Sequence, residues 1–391
     1  MILSSTILGF TVMLYTAVRS VCPLKTNIGN KIAFALLINL AAFKFHILYM
    51  IEGENFFTPN LPAGLVWTGS WLFCAVCAFM LLLLAADVVR LPLYLGLRFT
   101  GHKPHRRRWR KLNNRVNLVL LLLALGLSAW GTWCGIKPPT VKQLTIPLPN
   151  MAADAAPIRL VQLTDLHADS TKDASFYQDI VDKVNALQPD IVVLTGDYAD
   201  GSVADCRAAL APLRYLNAPM GVFAVNGNHD YFWGAKLWLN YLQGLGIQFI
   251  DGKTVTAEIP TTDGRHKRLQ LTGVHDPMAS RAGYEVPHLR EFASTAPATS
   301  PRILLSHNPR VADAAAGLGF DLQLSGHTHG GQFPGLKKLV ARMNNGYVGG
   351  LYEIGRMKLY VSAGTSLWTP ICLRLGTTSE ITLINIVPAQ N

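Results

Sequence analysis

Four apolar runs, at about 2–18, 32–51, 65–89 and 116–136, occupy most of the first 136 residues and restrict this chain more than any other feature. A helix needs about 20 residues to cross roughly 30 Å of hydrocarbon, so the runs read as four membrane-spanning helices. The first is short, and a secretory signal is its rival. No basic residue precedes it, however, whereas Arg19 and Lys25 follow it, which is the reverse of a signal peptide. Half of the 391 residues are apolar and the mean hydropathy is +0.25, values that exclude both a disordered chain and a wholly soluble one.

The distribution of Lys and Arg sets an expected orientation. Arg19, Lys25 and Lys31 follow the first run, and only Glu52 and Glu54 follow the second. Arg90, Arg98, Lys103, Arg106, Arg107, Arg108, Arg110, Lys111 and Arg115 follow the third. The loops therefore read inside, outside, inside, and the fourth span delivers everything after residue 137 to the outer side. For a multi-pass protein of a bacterial inner (cytoplasmic) membrane that is the periplasmic or extracellular face. Residues 1–136 carry 13 Lys and Arg against 3 Asp and Glu, and residues 137–391 carry 22 against 21. The net charge of +11 thus belongs to the apolar part, and nucleic acid is not an expected partner. The Arg106–Lys111 cluster reads as a topology signal or a contact to anionic lipid. Lys44, His46 and Asp87 are polar residues within spans; Lys44 can snorkel and Asp87 stands three residues before Arg90, so none joins the candidate site. Cys74 and Cys77 form C-x-x-C inside an apolar run with no second pair, which favours packing over zinc.

Residues 137–156 read as a linker with one strand, followed by a globular domain over 157–391. Short apolar runs recur there at Ile158–Leu163, Ile191–Thr195, Val222–Val225, Ile303–Leu305 and Leu322–Leu324. Between the first two, Asp173–Gln188 sets Ile180, Val181, Val184 and Leu187 on one helical face. Strands separated by helices predict an α/β domain with a largely buried sheet. Each of the five runs leads into metal-binding residue types: Asp165-Leu166-His167, then Gly196-Asp197-Tyr198-Ala199-Asp200, Gly227-Asn228-His229-Asp230, Ser306-His307-Asn308 and Gly326-His327-Thr328-His329-Gly330-Gly331-Gln332. Ligands of open α/β sheets sit outside the carboxyl ends of the strands, so these residues are expected to converge. Glycine at 196, 227 and 326 lets the backbone turn sharply and approach an ion closely.

In this order the motifs DLH, GDYAD, GNHD, SHN and GHTHGGQ resemble the calcineurin-like metallophosphoesterases, and GHTHGGQ with Gly350-Leu351-Tyr352-Glu353 is similar to a bacterial membrane-associated branch. The resemblance covers about 157–387. It implies a four-layer αββα sandwich, here preceded by a four-helix transmembrane region, with two divalent metal ions between the sheets. By position, Asp165, His167, Asp197 and His329 would hold one ion, and Asp197, Asn228, His307 and His327 the other. Mixed imidazole and carboxylate ligation suits manganese, iron or zinc. The resemblance makes His229 the proton donor to the leaving group, with Asp200 fixing its tautomer; Asp230 would share that task or cap a helix. His275 reads as a solvated histidine. The stripe Tyr231-Phe232-Trp233 with Leu237, Trp238, Tyr241 and Leu242 reads as core, or as cover for acyl chains.

The protein-phosphatase branch has an Arg after its second motif, where this chain has Gly201, and Ser362-Ala363-Gly364-Thr365-Ser366-Leu367-Trp368 departs from the usual glycine-rich turn. The expected function is a membrane-anchored dinuclear-metal phosphohydrolase acting on a phosphoester, phosphodiester or pyrophosphate bond. Its expected partners are the lipid bilayer and a phosphorylated, lipid-linked small molecule. A cytosol-facing UDP-diacylglucosamine-type pyrophosphatase is the alternative within the family. From another class, a non-catalytic metal-stabilised scaffold or sensor would lack the bridging Asp or the donor His, and both positions are filled.

Overall fold

A computed structural model describes residues 2–101, 105–261, 266–292 and 300–389 and divides the chain into two units. The first comprises Met1–Trp133 together with Thr369–Leu373, and the second the remainder. Lys103 lies outside the described residues.

The helical unit departs from the expected four spans. Among the described residues two helices, Ala63–Phe99 and Arg106–Ile136, are long and apolar enough to cross a membrane, or three if the pair Ile28–Ala42 and Lys44–Glu52 is one bent span. That pair bends by 64° because Phe43 leaves helical geometry, with φ −97° and ψ 20°. The first run yields a shorter apolar helix, Thr6–Val21. Lys44 does not snorkel. It is buried, and its Nζ donates to the Pro370 carbonyl at 2.7 Å. His46 Nε2 lies 2.7 Å from Thr6 Oγ1, and Asp87 pairs with Arg19 and, at 3.4 Å, with Arg90. Cys74 and Cys77 are free, as are Cys206 and Cys372.

The second unit holds twelve strands among the described residues: β1 (Thr140–Leu148), β2 (Ile158–Leu163), β3 (Ile191–Thr195), β4 (Val222–Val225), β5 (Gln248–Phe249), β6 (Lys253–Pro260), β7 (His266–Gly273), β8 (Arg302–Leu305), β9 (Leu322–Ser325), β10 (Gly350–Ile354), β11 (Met357–Val361) and β12 (Glu380–Pro388). They form two six-stranded mixed sheets, ordered β1-β12-β2-β3-β4-β5 and β10-β11-β9-β8-β7-β6. The five runs read from sequence are β2, β3, β4, β8 and β9, which pair in parallel within their sheets and are almost wholly buried. Parallel strands covered on both faces are apolar along their whole length, which is why they stand out. Leu160, Val193 and Phe223 of the first sheet pack with Leu271, Ile303 and Leu324 of the second, forming one core between the sheets. The helix Ala174–Ala186, capped by Asp173, buries Tyr177, Ile180, Val181 and Val184 against the outer face of the first sheet with the helices Val203–Leu210 and Ala235–Gln243. Ala312–Gly317 covers the second sheet. The layers therefore run αββα.

The stretch 137–156 is not a free linker. Its strand β1 pairs along its whole length with β12, which in turn pairs antiparallel with β2. Ile146 and Leu148 are buried in the inter-sheet core.

Candidate metal centre

The loops leaving β2 and β3 are laced together by their backbones. Asp165 N donates to Gly196 O at 2.9 Å, His167 N to Asp197 O at 3.0 Å and Asp200 N to Ala168 O at 2.8 Å. The buried carboxylate of Asp230 binds the third loop to the second, accepting from Asp197 N at 3.0 Å, Tyr198 N at 2.9 Å and Gly227 N at 2.7 Å. It therefore caps the short helix Asn228–Phe232 and fixes Asp197 at the same time. A Cβ on Gly227 would fall on the Asp197 carboxylate, and one on Gly326 on Thr164 and Asp165, so these loops close only with glycine. Asp165, His167, Asp197, His327 and His329 all have φ between 44° and 71°. Five non-glycine residues in the left-handed region, each held there at a cost of order 1–3 kcal/mol, mark a geometry imposed by the surrounding structure.

The side chains meet in three overlapping groups whose ligand atoms lie within 4.8 Å of one another: Asp165, His167 and His329; His167, Asp197 and His229; and Asp165, Asp197 and His307. Asn228 contributes a buried amide oxygen with no hydrogen-bond partner among the described residues. His327 enters none of the three groups, and its ring centroid lies 5.1 Å from that of His307. Asp200 holds two rings, with Oδ1 2.5 Å from His229 Nδ1 and Oδ2 2.9 Å from His167 Nδ1. The sequence reading gave it only the first.

These contacts fit divalent cations. His307 Nδ1 donates to the Thr195 carbonyl at 2.7 Å, which turns Nε2 toward Asp197 Oδ2 at 3.2 Å. His167 Nδ1 is tied to Asp200, so Nε2 is the nitrogen that faces His329 Nε2 at 3.2 Å. Ring nitrogens and carboxylates gathered so closely in a buried site call for a positive charge between them, a proton or a cation. The titration directions tell the same story. Burial opposes the charged form of His307, yet Asp197 pushes it well above the ordinary value. Burial and the His307 charge bring His327 down to about 3, and burial with the His167 charge takes His329 well below its usual range. Burial raises Asp165. Asp200 is pulled well below the carboxylate range by His167 and His229 despite its burial. His229 is pushed up to about 9, because Asp197 and Asp200 outweigh the burial that would lower it.

The profile described as calcineurin-like phosphoesterase matches residues 158–331. An uncharacterized metallophosphoesterase of Helicobacter pylori is 30% identical over 82% of this chain and 83% of its own length. This chain belongs to the calcineurin-like metallophosphoesterases. It is a metal-dependent phosphoester hydrolase with apolar helices that are candidate membrane spans. An uncharacterized metallophosphoesterase of Campylobacter jejuni is 28% identical over 97% of this chain and 98% of its own length, so the match extends into the apolar N-terminal part. A zebrafish (Danio rerio) protein described as a transmembrane protein with a metallophosphoesterase domain is 31% identical over 71% of this metallophosphoesterase and 63% of its own length.

Three contributors escaped the sequence reading. Trp368 sets its ring 5.7 Å from that of His229, which also has Phe232 at 5.6 Å. Gly364 packs so closely that a Cβ would stand 3.1 Å from that of Asp165 and 3.2 Å from His329 Nδ1. Arg374, fully buried, donates to the carbonyls of His329, Ala363 and Ser366. They follow β11 in a segment without periodicity, and Arg374 stands among leucines where no charge pattern points to it. His275 is largely covered, its side chain 17% exposed and its Nδ1 3.0 Å from the Tyr231 hydroxyl, so it is not the solvated histidine expected. The aromatic stripe splits: Trp238 and Leu242 are core, while Phe232 and Leu237 are 57% and 64% exposed.

Proposed function

We propose that this chain is a membrane-anchored, dinuclear phosphohydrolase that cleaves a phosphodiester, pyrophosphate or phosphomonoester bond of a lipid-linked substrate at the outer face of the cytoplasmic membrane. Asp165, His167, Asp197 and His329 would hold one ion, and Asp197, Asn228, His307 and His327 the other, with Asp197 between them. When bound, such a pair supplies hydroxide at neutral pH and positive charge for the phosphoryl oxygens. The chain's own residues do the rest. His229, whose Nδ1 is tied to Asp200, has only Nε2 free to donate a proton to the departing oxygen. Asp200 keeps that tautomer and also orients His167.

The observation that carries the lipid assignment is the apolar flank of His229, whose ring has both Phe232 and Trp368 beside it, with Phe232 57% exposed. Apolar surface beside a proton donor suits a leaving group that carries acyl chains. The excess of Lys and Arg on alternate loops supports the outward orientation.

The test is turnover by the purified full chain with manganese, comparing bis-p-nitrophenyl phosphate with phospholipids and lipid-linked pyrophosphates. Metal-dependent hydrolysis with preference for the lipid substrates is expected. Absence of metal-dependent turnover, or full turnover by His229→Ala, overturns the assignment.

A further inference from the structure

The helical unit contains a second built site, remote in sequence from the metal ligands. A cavity of about 450 Å³, within the range of small-molecule sites, is lined by Arg19, Arg90, Arg106, Arg110 and Trp109. An adjoining cavity of about 350 Å³ shares Arg19, Arg90 and Trp109 and reaches Asp87 and Leu91. The walls come from the end of the first helix, the latter part of Ala63–Phe99 and the first turns of Arg106–Ile136. They are fastened together, since Asn117 Nδ2 donates to Arg19 O at 2.8 Å and the rings of Tyr94 and Trp109 lie 5.8 Å apart.

Four arginines line the first cavity, and the one carboxylate, Asp87, lines the adjoining one with Arg19 and Arg90. Asp87 is already engaged by Arg19 and by the Tyr15 hydroxyl, at 2.6 Å from the latter. Arg90 reaches Asp87 through Nη1 at 3.4 Å, but its Nη2 is buried with no hydrogen-bond partner among the described residues. Arg106 and Arg110 form no ion pair among the described residues. A buried guanidinium nitrogen without an acceptor is costly, and an excess of converging arginines calls for an anion with several oxygens. Leu91, in the lining of the adjoining cavity, is 61% exposed. Guanidinium groups bordered by an exposed leucine and by Trp109 match an amphiphile with a negatively charged head.

We propose that this cavity binds the phosphate of an anionic phospholipid headgroup, whose acyl chains lie along Leu91 beside it. The proposal is independent of the hydrolase reading, and its test runs in EDTA, so that hydrolysis cannot consume the probe. Full-length protein in neutral detergent is titrated with phosphatidylglycerol, phosphatidylcholine or glycerol 1-phosphate while its melting temperature is recorded. Saturable stabilisation by phosphatidylglycerol alone is expected, with apparent affinity weakened roughly tenfold or more in Arg90→Gln. Because Arg90 also pairs with Asp87, Arg106→Gln/Arg110→Gln serves as a second variant that leaves that pair intact, and it is expected to weaken binding similarly. Equal stabilisation by phosphatidylcholine or by chain-free glycerol 1-phosphate overturns the proposal, as does an unchanged phosphatidylglycerol response in the double variant.

Discussion

Asp200 shows how much one residue can carry and how little of it sequence discloses. Its place in GDYAD suggests a partner for the donor imidazole, but the second contact, to His167, depends on two loops lying side by side. The two roles separate experimentally. His229→Ala should lower kcat by about 10²–10⁴ while the protein retains its metal. Asp200→Asn should lower kcat and also weaken metal binding by about 10–100-fold, read by elemental analysis after dialysis. Metal removal should depress the melting temperature, because His307 Nε2 and Asp197 Oδ2 then oppose each other at 3.2 Å with only a proton to reconcile them. The candidate ligands could be singled out in the sequence because each stands in a loop that leaves a buried strand. Trp368 and Arg374 could not, since neither is near such a strand end in sequence.

At the level of elements, the strands that read clearly were those covered on both faces. β6, whose residues alternate between exposed and buried from Thr256 to Pro260, and β10, which has no fully buried residue, gave no continuous apolar run and were missed. β1 was half legible: a strand was expected between 137 and 156, but not that it is a member of the sheet. A local pattern cannot show a partner some 240 positions away, and Thr140 pairs with Glu380. Leu148→Ala, at a fully buried position of β1, should cost about 2–5 kcal/mol and lower the melting temperature, whereas the same change in a tether would be silent. Trp368→Ala should raise KM for a lipid-linked substrate much more than for bis-p-nitrophenyl phosphate, a difference that steady-state kinetics on the two substrates would expose.

For the whole molecule, the apolar runs announced a membrane unit, but their number was overread. Hydropathy is blind to a 64° bend at Phe43 and does not reveal that the helix Thr6–Val21 is short for a span. The charge asymmetry survives that revision and makes an outward prediction: alkaline phosphatase fused after residue 391 should be active in intact cells, and cytoplasmic-only activity would reverse the proposed orientation.

The seam between β1 and β12 has a bearing on biosynthesis. β1 begins four residues after the Arg106–Ile136 helix ends, so it emerges from the ribosome early, yet the strand that must lie between it and β2 is the last one made. Until Glu380–Pro388 is released, β2 presents an unpaired apolar edge. A nascent chain stalled before Glu380 should therefore remain protease-sensitive throughout its polar half, and the domain should acquire resistance in one step, once Glu380–Pro388 has emerged.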